Sequence, residues 1–558
     1  MSHLKERPSR PSATRSAGEK QEWWRGATIY QIYPRSFLDT TGNGVGDLRG
    51  ITQRLGYVRD LGVDAIWLSP FFKSPMRDFG YDVSDFCAVD LLFGTLRDFD
   101  DLVATADRLG LRVIIDQVYS HSSSEHAWFR ESASSRNNAR ADWYVWADPG
   151  KGGAEPNNWQ AAFGGPSWAW SKTRQQYYLH NFLAEQPDLN LHNEEVRHAI
   201  FDVARFWLDR GVKGFRLDAL HCLLHDTQLR DNPERADAPA SEHRPHYRQE
   251  HVYDHAHPDV PAFLERFTKL TDEYDAIFTV AEVGTWNPLT LMQEYARPPR
   301  LNSAYGFEFL AAPRLGAAAI RDTVSAWPND TDLGWPSWAF SNHDAPRVAT
   351  RWGGASPGDE KTRLIALLQF SLRGNIFLYQ GEELGLPQAD VPFERLLDPE
   401  GIANWPNSMG RDGARTPFPW KHDEPNAGFS SAEPWLPLDE AHLSRAVDRQ
   451  IGNPDSLLSF FQRTVRYRRQ SSPLLHGDLV FLPAPPDSLL FLRVNVGQRL
   501  LCGFNFADEV QMLEVDAARE LAIELEVGSP PVVLSDERLS LPGWSGFVGA
   551  HAPRPANR

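Results

Sequence analysis

GFRLD, residues 214–218, is a short apolar run that carries one arginine and stops at a carboxylate. Side chains alternate along an extended strand, so Arg216 and Asp218 face one side and Phe215 and Leu217 the other. Runs of the same kind lie at 28–33, 65–68 and 113–116 before it, and at 278–282, 306–309, 338–342 and 376–379 after it. Each ends in polar residues and leads into a longer amphipathic stretch. Parallel strands need helical crossovers and cover on both faces, so eight such runs predict an α/β chain folded as a (β/α)8 TIM barrel.

The spacing between runs is uneven. Between 116 and 214 there are too many residues for one crossover, with Trp, Gly, Pro and Asn concentrated in NNWQAAFGGPSWAW, residues 157–170. That predicts an inserted subdomain after strand 3, at 121–190. A second polar stretch, 226–261, reads as an exposed loop. Beyond 473 the pattern changes to period-two alternation, as in SLLFLRVNV at 488–496, and predicts a C-terminal antiparallel β domain, a β-sandwich over 473–558. The barrel then comprises 23–120 and 191–472, and residues 1–22 form a loose tail.

Composition narrows the function. Of 558 residues, 74 are acidic and 57 basic, and a formal charge of −17 repels phosphate backbones and anionic lipid. The expectation is therefore no nucleic-acid partner. No apolar run reaches the length of a membrane span, and the first residues have no apolar segment to follow their positive charges, so no membrane partner and no secretory signal are expected. Cys87, Cys222 and Cys502 lack metal-type spacing, which fits a reducing, cytoplasmic setting. The 19 Trp and 31 Phe residues can serve the core, and rings in that number also suit packing against the faces of sugar rings.

In a parallel barrel, function sits at the C-terminal ends of the strands. Asp116 closes VIID, Asp218 closes GFRLD, Glu282 closes FTVAE, and Asn342, His343 and Asp344 follow WAFS. One carboxylate in such a place is more often structural than catalytic, but several on one rim point to shared chemistry. Glycoside cleavage uses one carboxylate as nucleophile and a second, held protonated, as acid. Arg216, on the same strand face as Asp218, is expected to keep that carboxylate ionised.

With DQVYSH, GFRLDAL, VAEVG and FSNHD in this order, the chain resembles the α-amylase superfamily, glycoside hydrolase family 13. The likeness runs from QIYPRSF at 31–37 to GRDGARTPFPW at 410–420, and QPDLN at 186–190 resembles the signature of the α-glucosidase and oligo-1,6-glucosidase subgroup. The resemblance implies Asp218 as nucleophile, Glu282 as general acid/base and Asp344 as the third carboxylate that binds substrate hydroxyls. It implies His121 and His343 as sugar ligands, Tyr81 as the stacking platform, Phe163 and Phe182 as pocket walls, and Asp78 with Arg411 as a grip on the non-reducing end. The implied activity is an exo-acting retaining α-glucosidase on maltose and short α-glucosides, with transglucosylation where a sugar replaces water. An ordinary ion pair is the plainer reading of Asp78 and Arg411.

Two departures stand out. Ser120 precedes His121 where the family usually has Asn, and Ala219 follows the nucleophile, which in the subgroup goes with α-1,4 rather than α-1,6 linkages. DTTGNGVGDL, 39–48, resembles the family's cation loop, with Asp39, Thr41, Asn43, the Val45 carbonyl and Asp47 as oxygen ligands for a structural Ca²⁺ or Mg²⁺. Its other reading is a glycine-rich turn, and no cofactor is required for the chemistry. His251, Asp254, His255 and His257 read as a solvated loop, and Cys222 as a packed thiol. The partner expected is a small carbohydrate, the chain acting as monomer or homodimer. The alternatives are a sucrose isomerase or other glucosyltransferase of the superfamily, and a non-catalytic sugar-binding or interaction protein.

Overall fold

The computed structural model describes residues 22–239, 242–285, 288–327, 329, 331–354, 358–515, 521–535 and 537–551. The expected tail lies outside the described residues apart from Glu22. Eight parallel strands form a closed barrel: β1 Thr28–Ile32, β2 Ala65–Leu68, β3 Arg112–Gln117, β4 Gly214–Leu217, β5 Phe278–Val283, β6 Ser303–Gly306, β7 Trp335–Ala339 and β8 Asn375–Tyr379. Each pairs with its neighbour in sequence, and β1 closes the ring on β8. Strand propensity and burial agree here, since the runs are rich in Ile, Val, Phe and Trp and buried throughout. Gly214 is needed where β4 meets β5, because a Cβ there would come within 2.7 Å of the Phe278 carbonyl oxygen.

Local signals set the crossovers. Asp47 caps helix Leu48–Leu61 by accepting from Gly50 N, and Gly62 ends that helix in the left-handed conformation. Thr95 and Asp98 form a capping box at the start of helix Leu96–Arg108.

Two strands depart from expectation, and both begin three residues earlier than the runs 306–309 and 338–342. Ser303–Gly306 reads SAYG, with one large side chain, so an apolar-run criterion passes over it. Phe309, counted in the expected run, instead lies in the helical turn Glu308–Ala311 and packs against Trp338 and Phe340 at 5.3 and 5.2 Å. β7 admits Pro336 at its second position, in register with Ala304 of β6. Asn342, His343 and Asp344 consequently lie in the loop after β7.

After β3 the chain leaves the barrel through helix Ala127–Ser134 and a three-stranded antiparallel sheet of Trp146–Ala147, Gln176–Leu179 and Trp168–Ser171. The ends of this excursion are tied together: His121 bridges Asp188, and Leu189 N donates to the Ser120 carbonyl at 2.9 Å. At the other end of the chain, a five-stranded and a three-stranded antiparallel sheet occupy the stretch from Asp478 to His551. Buried Arg493 fastens that domain to the barrel by donating to the carbonyls of Ser371, Leu474 and Gly477 at 2.7–3.0 Å. Among the described residues no helix is long and apolar enough to cross a membrane.

Candidate active site

Three strand ends deliver carboxylates to one guanidinium. Arg216 on β4 is fully buried and ion-pairs with Asp116 from β3, with Asp218 at the end of its own strand, and with Glu282 from β5. Parallel register causes this convergence, since Asp116 and Val280 both lie level with Arg216. Further bonds fix each acid. Glu282 accepts from Tyr305 Oη and from Ala219 N, both at 3.1 Å, while Asp116 accepts from Trp67 Nε1 at 3.0 Å and Tyr81 Oη at 3.4 Å. The Trp67 ring lies 5.1 Å from the guanidinium carbon.

Arg216 works against burial at Asp218. Burial raises the Asp218 carboxyl well above its usual range, Arg216 opposes this, and the charges of Glu282 and Asp116 push it up again. Burial likewise raises Asp116, to about 7, and Arg216 again opposes it.

Asp344 sits in the opposite electrostatic setting. Burial would raise it, but His343, Arg415 and Arg411 outweigh that and hold its carboxyl below the usual range. Arg415 donates to Asp344 Oδ1 at 2.7 Å, and His343 Nε2 lies 3.2 Å from Oδ2. The rim therefore sets two acids pushed up by burial, Asp116 and Asp218, beside one firmly ionised carboxylate.

Aromatic and polar walls surround these acids. Tyr81 stacks on His343 with ring centres 5.4 Å apart and its hydroxyl 2.5 Å from Nε2. His121 is buried and its imidazole lowered to about 4 by desolvation, so it is neutral near pH 7. Ser120 supplies a bond to it, with Oγ 2.9 Å from Nδ1. Phe182 packs 5.2 Å from His121, Phe163 packs 5.7 Å from Phe182, and Arg411 lies over Phe163 at 4.9 Å.

Asp78 and Arg411 do form an ion pair, at 2.8 Å, but it belongs to a larger set. Arg411 also binds buried Asp398 at 2.6 Å and approaches Asp344 at 3.5 Å, and Gln186 Nε2 donates to Asp78 at 3.1 Å. Sequence reasoning passed over Asp398 and Arg415 as site residues. Arg415 lies in the GRDGAR stretch four positions after Arg411, whereas Asp398 had no local signal.

Two loops differ from expectation in character. The stretch 226–261 is not solvated at its inner end: Asp254 and His255 are buried, and His251 and His255 stack at 4.3 Å. In the 39–48 loop the five expected ligands lie round one turn, but their oxygens are already engaged. Asp39 accepts from the N–H groups of Thr41, Gly42 and Gly44 and from the hydroxyls of Thr41 and Ser430, at 2.6–3.1 Å. Asp47 accepts from Thr40 and caps a helix, and Asn43 accepts from Val45 N at 2.9 Å. Carboxylates already filled by N–H and O–H donors do not fit a cation cage.

Comparison with known proteins agrees with this geometry. Residues 31–477 match the family described as "Alpha amylase, catalytic domain". The chain is 49% identical over 535 residues to a probable alpha-glucosidase of Rhizobium meliloti (strain 1021), covering 94% of this chain and 97% of that one. It is 34% identical over 527 residues to an oligo-1,6-glucosidase of Heyndrickxia coagulans, covering 87% and 92%. Among solved structures it superposes on the alpha-glucosyl transfer enzyme XgtA with a TM-score of 0.90 and 47% identity, covering 96% of this chain and 100% of that one. It also resembles the trehalulose synthase MutB of Pseudomonas mesoacidophila MX-45, with a TM-score of 0.87, 29% identity and coverage of 96% and 100%. The chain is therefore a glycoside hydrolase of the α-amylase superfamily, family 13, and belongs to its α-glucosidase and oligo-1,6-glucosidase group.

Proposed function

We propose that the protein is an exo-acting, retaining α-glucosidase that removes terminal α-1,4-linked glucose from maltose and short α-glucosides. The observation that supports this reading is the joining of Arg411 to Asp78, Asp398 and Asp344, an arrangement that would close one end of a sugar pocket. A pocket closed at one end accepts a chain terminus and excludes the middle of a polymer.

In this reading Asp218, as carboxylate, attacks the anomeric carbon while Glu282 gives its proton to the departing glycosidic oxygen. One C–O bond forms to Asp218 as the other breaks, and the first product leaves as an alcohol. Glu282, now ionised, takes a proton from water, whose oxygen displaces Asp218 and regenerates the starting state with the α configuration kept. The exchange needs the proton on Glu282 while Arg216 stabilises the charge on Asp218. Asp344, held ionised, accepts hydrogen bonds from sugar hydroxyls and favours the positive charge that develops at the anomeric centre. His121, neutral, is able to serve as donor or acceptor to the same ring.

Glucosyl transfer is the second reading, supported by the likeness to an enzyme named for it. A sugar hydroxyl then takes the place of water in the second step. The test is a set of initial rates on maltose, isomaltose, sucrose, maltotriose and an aryl α-glucoside, with the anomer of released glucose followed by NMR. α-Glucose appearing first from maltose, faster than from isomaltose, is the expected result. β-Glucose as first product, or internal cleavage of long chains, overturns it.

A further inference from the structure

We propose that His221, Cys222 and His255 form a binding site for one zinc-class divalent ion, separate from the sugar-binding rim. Three observations lead to this. One ligand atom from each of the three buried residues lies within 4.8 Å of those from the other two. Neither ring nitrogen of His255 has a hydrogen-bond partner among the described residues, although the side chain is buried. Asp254, next to it in the chain, is also buried, and its Oδ1 has no hydrogen-bond partner. A buried oxygen left unpaired is costly unless something compensates it.

The donor set indicates which cation fits. Two imidazoles and one thiol sulfur suit zinc or cobalt(II) and disfavour calcium or magnesium, which take oxygen ligands. Binding removes the Cys222 proton to solvent, leaving a thiolate and a divalent ion with a net charge of one. Tetrahedral zinc asks for roughly 3.5 Å between ligand atoms, so atoms already within 4.8 Å of one another close in by no more than about 1 Å, within the range of rotamer adjustment. The 3.3 Å bond from Gly284 N to His221 Nδ1 is long, and such a shift would loosen it.

A neighbouring group, His251, Asp254 and His255, is similarly close-set. His251 is already committed at both nitrogens, to Asp254 Oδ2 and to the His246 carbonyl, each at 2.9 Å. That favours the Cys222 triad. His221 and Cys222 belong to the turn Leu220–Cys222 just after Asp218, and His255 to the long loop 226–261, so the ion would staple that loop to the barrel rim.

The test uses the untagged full-length chain, dialysed against a chelator and titrated with cobalt(II), followed by zinc. One equivalent of cobalt should bind with four-coordinate visible absorption and a sulfur-to-cobalt charge-transfer band, and zinc should displace it. Cys222→Ser and His255→Gln should each weaken binding by at least about tenfold, and His251→Gln should leave it unchanged. Absence of the charge-transfer band in the unmodified chain, or binding that survives Cys222→Ser, overturns the proposal. Loss of binding in His251→Gln with retention in Cys222→Ser also overturns it, by moving the ion to the other triad. The wild-type spectrum decides the matter even where a variant fails to fold.

Discussion

The backbone N–H of Ala219 donates to Glu282 Oε2 at 3.1 Å, so the carboxyl assigned to proton transfer is fastened to the residue that follows Asp218. Ala219 meets it with φ 41° and ψ 46°, a left-handed conformation that costs an L-residue about 1 kcal/mol. The strain holds one peptide N–H against the acid. Position 219 thus couples backbone geometry to the acid pair, and not only side-chain bulk to the neighbouring subsite.

Ala219→Gly should relieve that strain and raise stability by about 1 kcal/mol, read as an upward shift in Tm. Ala219→Val should be destabilised, because a β-branched residue adopts this conformation with more strain. It should also raise the rate on isomaltose relative to maltose. An unchanged isomaltose-to-maltose ratio in Ala219→Val would remove position 219 as a linkage determinant.

Asp218→Asn should lower kcat by at least about 10³-fold while maltose still binds. Isothermal titration of the variant with maltose, run beside single-turnover assays, separates the two effects. Turnover near the wild-type rate would remove Asp218 from its role.

Asp78→Ala should leave Arg411 with Asp398 and Asp344 but open the pocket's closed end. Loss of a charged hydrogen bond to substrate corresponds to a fall in kcat/KM on maltose of roughly tenfold to a hundredfold. Product analysis on a long maltooligosaccharide should show internal cleavage rising against glucose release. Wild-type kinetics would restore the plain reading of this pair as a loop-closing ion pair.

Asp188, which bridges His121, offers a pH test. Desolvation raises its carboxyl from 3.8 to about 8, despite hydrogen bonds from Asn181. The folded form keeps a proton that the unfolded form releases, so this residue's contribution is fully present below about pH 4 and is lost as pH rises through 8. Asp188→Asn does not titrate. Its Tm relative to wild type should climb steadily from pH 4 to pH 8, and a flat difference would show that Asp188 is ionised in the folded protein.

The loop 39–48 is closed by its own donors, so adding Ca²⁺ or Mg²⁺ to the chelator-dialysed chain should shift Tm by no more than a degree or two, a change below about 1 kcal/mol. A larger rise with either ion would mean that a cation rearranges the turn. Asp39→Ala should be destabilised with or without either ion, because it leaves three N–H groups, that of buried Gly44 among them, without their acceptor.

Much of this was legible before any coordinates. Strand periodicity and strand-end acids are local properties, and they placed Asp116, Asp218 and Glu282 on one rim, because a closed parallel barrel points every strand end the same way. Strands β6 and β7 were misplaced where the local signal was weakest, in SAYG and across Pro336.

What the chain alone determined, then, was the barrel, its excursion after β3, its β-rich end and the acids at the strand ends, since each follows from residues a few positions apart. The tertiary structure decided the charges on them. Arg216 reaches Asp116 across 100 positions of sequence, and Arg411 reaches Asp78 across 333. It also turned a polar, histidine-rich loop inward to meet His221 and Cys222. Charge and protonation depend on which groups meet away from water, and that is a property of the folded interior, not of any stretch of the chain.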